Sequence, residues 1–147
     1  METITPAKTP WHLWAVGIAS LLWNAMGAVD FTLSELRNQA YFRMGGMTPQ
    51  MIAYIESFPT WAVAGWGIGV WFCVAGSILL LMRSRYAFHA FSVSLLGIAV
   101  TSYFSYAFAH PAAFDSRSNH LFSVVLCTVT IFLTLYARWM GRTGVLR

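Results

Sequence analysis

Four long apolar runs divide this chain and decide what it can fold into. They extend over residues 11–30, 60–82, 86–109 and 121–140, and each is long enough to cross about 30 Å of hydrocarbon as a helix. Only 10% of the residues are charged, whereas a soluble domain carries about 25%. Too little polar surface remains to cover a water-soluble core. The sequence therefore predicts an all-α integral membrane protein, a four-helix bundle that forms a single transmembrane domain.

The distribution of basic residues predicts the orientation of these runs, because cytoplasmic connections carry an excess of Lys and Arg. The side that carries both termini has the larger number, namely Lys8, Arg83, Arg85, Arg138, Arg142 and Arg147, against Arg37, Arg43 and Arg117 on the other side. We therefore expect both termini to be cytoplasmic. Since these residues stand at the ends of apolar runs, where anionic lipid headgroups attract them, we expect no nucleic acid as a partner.

The connection between the first two runs, residues 31–59, is predicted to form a short helical cap outside the membrane. Apolar residues recur at helical spacing from Leu33 to Met44, so we expect the first helix to continue until Gly45. Thr48 is a residue type that favours the N-cap of a helix, and Pro49 is one that favours the first helical position. The apolar face of this second short helix comprises Met51, Tyr54, Ile55 and Phe58.

Small and weakly polar residues recur at helical spacing along each run. Lipid is as apolar as leucine, so close packing of small residues must join such helices, and we expect these stripes to face one another. They are Gly17, Ser20, Asn24 and Ala28; Gly65, Gly69, Cys73 and Gly76; Ala90, Ser94, Gly97, Thr101 and Ser105; and Ser123, Cys127, Thr130, Thr134 and Ala137. Gly65 and Gly69 also form a GxxxG pair, for which packing within the chain is favoured over self-association.

The candidate functional residues lie toward the outer end of the first run. No ionisable side chain lies near the middle of any run, which is where a charge usually marks function. Asn24 is the deepest clearly polar side chain. One interpretation is a polar site in which Asp30, with Glu35 or Arg37, binds a solute or a partner. The other, which is favoured, is that Asn24 joins two helices and Asp30 marks the water boundary.

The histidines offer no recognised site. His12 and His89 are predicted near the cytoplasmic surface, and His110 and His120 beside the connection between the last two runs. Neither pair has a known haem or metal spacing, and no nucleotide-binding, metalloprotease or hydrolase motif occurs. Asp115 has no evident catalytic partner. We therefore expect no cofactor, no metal and no catalytic residue.

Several short segments between residues 11 and 100 carry a family resemblance. They are Leu22-Trp23-Asn24 with Gly27, Pro59-Thr60-Trp61-Ala62, Gly76, Leu79-Leu80-Leu81, Arg83-Ser84-Arg85, Ala87-Phe88, Phe91-Ser92 and Ser94-Leu95-Leu96-Gly97. Together they resemble a family of small four-helix inner-membrane proteins of proteobacteria whose members often carry the label "sugar transporter". The resemblance implies the four-helix architecture and a bacterial inner membrane. It brings neither a mechanism nor a functional residue.

Two functions of different classes fit the sequence. The first is a non-catalytic accessory subunit that packs its aromatic surface against a larger inner-membrane complex, because the runs lack mid-span charge and are rich in Trp and Phe. The alternative is a small oligomeric carrier of a sugar-like solute, with Asn24, Asp30 and Arg37 near its path. The expected partners are the lipid bilayer and either other membrane subunits or further copies of the chain.

Overall fold

The computed structural model describes residues 8–108 and 117–147, and every regular element in that part of the chain is a helix. The predicted all-α class is confirmed. The elements are α1 (Trp11–Glu35), α2 (Gln39–Met44), α3 (Pro49–Glu56), α4 (Thr60–Leu81), α5 (Tyr86–Ala107) and α6 (Arg117–Arg142). Among them α1, α4, α5 and α6 are long and apolar enough to cross a membrane. The expectations for Ala109, His110 and Asp115 lie outside the described residues.

The long helices pack in the order α1, α4, α5, α6, and the contact between α4 and α5 is the most extensive. The two outer members, α1 and α6, meet through aromatic rings. The ring centroids of Trp23 and Phe122 are 6.3 Å apart, and His12 stacks on Trp139 at 5.9 Å. We call the end of the bundle that carries α2 and α3 the cap end. The opposite end, with the turn between α4 and α5 and residues 143–147, is the tail end.

Facing glycines allow α4 and α5 to approach closely. A Cβ atom added to Gly97 would lie 2.5 Å from the amide nitrogen of Gly69 and 2.6 Å from the carbonyl oxygen of Gly65, so no larger residue fits without a shift of the backbone. Ser94 Oγ donates a hydrogen bond of 2.5 Å to the Gly69 carbonyl across the same contact. The structure thus places the GxxxG pair inside the chain's own bundle.

The tail end is densely packed. Its core side chains are at most 2% exposed and comprise Leu13, Leu80, Ala87, Phe91, Leu133, Ala137 and Met140. The chain after α6 folds back over this core, where Val145 and Leu146 are buried. The Arg147 amide donates a hydrogen bond of 2.7 Å to the Arg83 carbonyl, which fixes that segment against the turn between α4 and α5.

The predicted stripes of small residues face the bundle interior, but their burial changes along the helices. In α1 and α4 the stripe residues are buried throughout; they are Gly17, Ser20, Asn24, Ala28, Gly65, Gly69, Cys73 and Gly76. In α5 and α6 the members nearer the tail end are buried, whereas four members nearer the cap end are only half-buried, namely Thr101, Ser105, Ser123 and Cys127. The helices therefore separate toward the cap end.

The cap differs from its prediction at one point. The expectation that the first helix continues to Gly45 is wrong, because α1 ends at Glu35 and Arg37 adopts a left-handed φ of 51°. The Asn38 side chain then accepts a hydrogen bond of 2.9 Å from the Tyr41 amide and begins α2 as its N-cap. The chain thus reverses direction where a continuous helix was expected.

The second short helix begins as predicted. Thr48 Oγ1 accepts a hydrogen bond of 3.3 Å from the Met51 amide, with Pro49 at the first helical position. Aromatic rings then hold this part of the cap against α5. The ring centroid of Phe104 lies 4.7 Å from that of Phe58 and 6.3 Å from that of Tyr54. The cap is therefore packed onto the bundle rather than standing away from it.

We predict that Gly97→Ala destabilises the bundle by about 1–3 kcal/mol, the usual cost of overpacking a close contact. The added methyl group meets backbone atoms of α4, which move only if the two helices separate. Thermal unfolding of the purified protein in a mild detergent measures the effect. Gly27→Ala is the matched control, because among the described residues no atom beyond its own stretch of helix backbone lies within 4 Å of the added Cβ. Equal melting temperatures for the two variants would contradict the close contact.

Candidate functional site

A cavity of about 470 Å³ lies at the cap end, where the long helices separate. All four long helices contribute side chains to its wall, and the cap contributes Tyr41 from α2 and Tyr54 from α3. Ligand pockets in proteins commonly measure about 300–1,000 Å³. The cavity is therefore large enough for a small organic molecule.

The wall of this cavity combines apolar surface with many hydrogen-bonding groups. Asn24, Asp30, Tyr41, Tyr54, Thr101, Ser102, Ser105, Asn119, His120, Ser123 and Thr130 supply them, beside the thiols of Cys73 and Cys127. Polar groups at membrane depth are costly unless they are paired or line a water-filled space. Their concentration on one cavity distinguishes the cap end from the apolar tail end.

Eight cavity residues come from the stripes that the sequence assigned to helix packing, and four of them are only half-buried. These four, Thr101, Ser105, Ser123 and Cys127, continue the stripes toward the cap end and line the cavity. Thr101 also retains a helix contact, since its Oγ1 lies 3.4 Å from the Ala62 carbonyl oxygen on α4. The residue types suit either role, because a small polar side chain permits close packing and also offers a hydrogen bond. The helical spacing did not predict that these residues would line a space between the helices.

Asn24 closes the deep end of the cavity. Its Nδ2 donates hydrogen bonds to Ser77 Oγ at 2.9 Å and to the Cys73 carbonyl at 3.3 Å, which joins α1 to α4. Its Oδ1 accepts no hydrogen bond from the described residues, and the side chain lines the cavity. Asn24 therefore joins two helices, as the favoured interpretation held, and also offers one acceptor to the cavity.

Cys73 brings three helices together at the same depth. Its Sγ lies 2.9 Å from Ser94 Oγ on α5 and 3.9 Å from Thr130 Oγ1 on α6. Ser94 Oγ in turn donates to the Gly69 carbonyl. This network satisfies the polar groups below the cavity and separates it from the tail-end core.

Asp30 and Tyr41 form the contact that holds α2 over the cavity. The Tyr41 hydroxyl donates a hydrogen bond of 2.5 Å to Asp30 Oδ1. That bond, with burial and the negative charge of Asp30, raises the pKa of Tyr41 to about 12. Burial also raises the pKa of Tyr54. Both tyrosines are therefore neutral at physiological pH and present hydroxyl groups to the cavity.

Tyr41 was not among the residues predicted from the sequence. It stands 11 positions after Asp30, and in a continuous helix the two residues would be about 16 Å apart along the axis. The reversal at Arg37 brings them into hydrogen-bonding contact instead. The N-cap residue type of Asn38 was the signal in the sequence that a new helix begins there.

The four predicted site residues do not form one cluster. Asn24 and Asp30 line the cavity, whereas Glu35 and Arg37 are exposed on the cap and do not line it. Arg37 Nε instead lies 3.6 Å from Glu56 Oε1 and connects the start of α2 to α3. An exposed ion pair of this kind contributes about 0–1 kcal/mol. Arg37 therefore lies outside the cavity wall and contacts the cap instead.

The histidines take separate positions. His12 shares a hydrogen bond of 2.5 Å between its Nδ1 and the Tyr136 hydroxyl, at the tail end. His89 is exposed, and His120 lines the cavity. In the part of the chain that the structure describes, no group of three metal-ligating residues occurs.

We predict that Cys127 reacts with a water-soluble methanethiosulfonate and that Cys73 does not. Both thiols line the cavity, but Cys73 is buried and bonded to Ser94, while Cys127 is half-buried. Because the thiolate is the reactive form, labelling requires access to water. Cys73→Ser leaves Cys127 as the only thiol, and Cys127→Ser leaves Cys73. Mass spectrometry of the detergent-solubilised variants should show labelling of Cys127 at least about tenfold faster than that of Cys73.

Denatured samples of both variants, in which each thiol is exposed, provide the control for this labelling. An unreactive Cys127 in the folded protein would show that water does not enter the cavity.

Comparisons with known proteins do not assign the chain to a family. Searches against protein-family models, curated proteins and solved structures found no match for the chain. The resemblance carried by segments such as Leu22-Trp23-Asn24 therefore stays a prediction. The geometry of the cavity is the feature of the structure that points to a function.

Proposed function

We propose that this protein is a small, non-catalytic solute carrier that binds its solute in the cap-end cavity. The observation that carries the proposal is the cavity itself, in which polar side chains from α1, α5, α6 and the cap surround a ligand-sized space. Polar side chains within membrane segments characteristically line the paths of solutes and ions. A bundle with only a structural role would be expected to pack as tightly at the cap end as it does at the tail end.

The difference between the two ends of the bundle supports a carrier. The cavity is limited at its deep end by Asn24 and Cys73, and the tail-end core beyond them is fully packed. Carriers expose a site near mid-membrane to one side at a time. With the orientation that the basic residues predict, the cavity lies toward the outside of a bacterial inner membrane, beneath the cap. The proposed carrier is an oligomer of this chain.

Uptake into proteoliposomes tests this proposal with radiolabelled glucose as a neutral probe and radiolabelled choline as a cationic probe. We expect saturable uptake of at least one of them, reduced roughly tenfold or more by Asp30→Asn, as expected when one charge-assisted hydrogen bond is lost. Glu35→Gln is the matched control, because Glu35 is an exposed carboxylate at the end of the same helix and lies outside the cavity. Uptake of neither probe above protein-free liposomes would contradict the proposal.

A second candidate, the accessory subunit of a larger membrane complex, is favoured by aromatic side chains away from the helix ends. Trp71, Phe72 and Phe132 lie well inside α4 and α6, yet they are 51%, 41% and 52% exposed. Tryptophan in membrane proteins usually concentrates at the interfaces, and aromatic residues are enriched at protein contacts. A partner subunit that packs on these rings would account for their position.

Native mass spectrometry of protein released from membranes tests this second candidate. We expect a species much heavier than the 16.4 kDa chain, and its loss in Trp71→Ala, because aromatic anchors dominate the energy of such contacts. Leu96→Ala is the control, since Leu96 is an exposed apolar residue on α5. A monomer or homodimer alone would contradict the accessory role.

A further inference from the structure

The charge of the cap-end cavity is negative. Asp30 is the only carboxylate on the described wall, and no lysine or arginine lines it in the part of the chain that the structure describes. The imidazole of His120 also lies on the wall. An anionic solute would therefore meet a carboxylate without a fixed cation to offset it.

Asp30 also lacks a cationic partner within the described residues. Its hydrogen bond comes from the neutral hydroxyl of Tyr41, and the ion pair in this region joins Arg37 to Glu56 instead. A carboxylate that is half-buried beside apolar segments is stabilised when a positive charge accompanies it. A bound cation would supply that charge.

Aromatic rings form much of the remaining wall. A ring face carries negative charge density and attracts a cation, and quaternary ammonium groups are recognised in this way. Two of the rings are held by neighbouring rings: Trp66 lies edge-on to Phe31 at 5.0 Å, and Trp23 contacts Phe122 at 6.3 Å. The rings that line the cavity belong to Trp23, Tyr41, Tyr54, Trp66, Tyr106 and Phe122.

We infer that the cavity binds a small organic cation with a single positive charge, placed between Asp30 and the aromatic rings. This inference rests on the proposed function and names the class of its solute. The hydroxyl groups of the wall, such as those of Ser105 and Ser123, suit a ligand that also bears a hydroxyl group. A neutral polyol would use those hydroxyls but leave Asp30 without a counter-charge.

Binding of choline and of its uncharged isostere 3,3-dimethyl-1-butanol tests the inference, because the two differ only in whether nitrogen or carbon bears the three methyl groups. Isothermal titration calorimetry of the full chain in detergent should give a Kd for choline at least about tenfold lower than for the alcohol. Asp30→Asn should reduce this preference several-fold, because only the aromatic rings then favour the cation, while it keeps the size of the side chain. Glu35→Gln, which changes a carboxylate outside the cavity, should retain it.

The Asp30→Asn protein is checked by labelling of Cys127, whose unchanged rate shows that the cavity is intact. Choline should slow the same labelling in the wild-type protein, because both occupy the cavity. Equal affinity for choline and the alcohol, no binding of choline, or a preference undiminished in Asp30→Asn would each overturn the inference. If glucose is taken up and choline is not, the class of solute is wrong and the carrier stands; if neither is taken up, the carrier falls as well.

Discussion

The close approach of α4 and α5 is the constraint on which the rest of the structure depends. Between helices in lipid, apolar burial supplies no net attraction, so contact must come from backbone proximity and hydrogen bonds. Gly65, Gly69 and Gly97 provide that proximity, and Ser94 adds a hydrogen bond across it. With this pair fixed, α1 packs on α4 and α6 packs on α5. The two outer helices are then left to meet through side chains alone.

That arrangement explains why a cavity forms at one end. Near the tail end, large apolar side chains such as Leu13 and Leu133 fill the space among the four helices. Toward the cap end the wall includes small residues such as Ser105 and Ser123, and the larger rings there, such as those of Trp23 and Trp66, leave a space between the helices. The large apolar side chains beside the stripes therefore determine which end is dense, and the tyrosine of α2 bonded to Asp30 lies over the open end.

The helical class, the four long helices and the inward-facing stripes were predictable, because length, hydropathy and spacing are local properties of the sequence. Even the N-cap at Thr48 followed from residue type. The cavity was not predictable, since it depends on how far the helices separate after packing. The same holds for the contact between Tyr41 and Asp30, which exists only because the chain reverses at Arg37 in a conformation unusual for arginine. The charge of Asp30 identified it as a candidate in the sequence, but its partner Tyr41 was not identified.

The unequal packing of the two ends has a mechanical consequence. A rearrangement that widens or narrows the cavity changes the cross-section of the molecule toward the cap end, while the interlocked core around Phe91 and Met140 keeps its cross-section at the tail end. Packed interiors resist compression, whereas an open space does not. The bundle is therefore deformable at one end and rigid at the other.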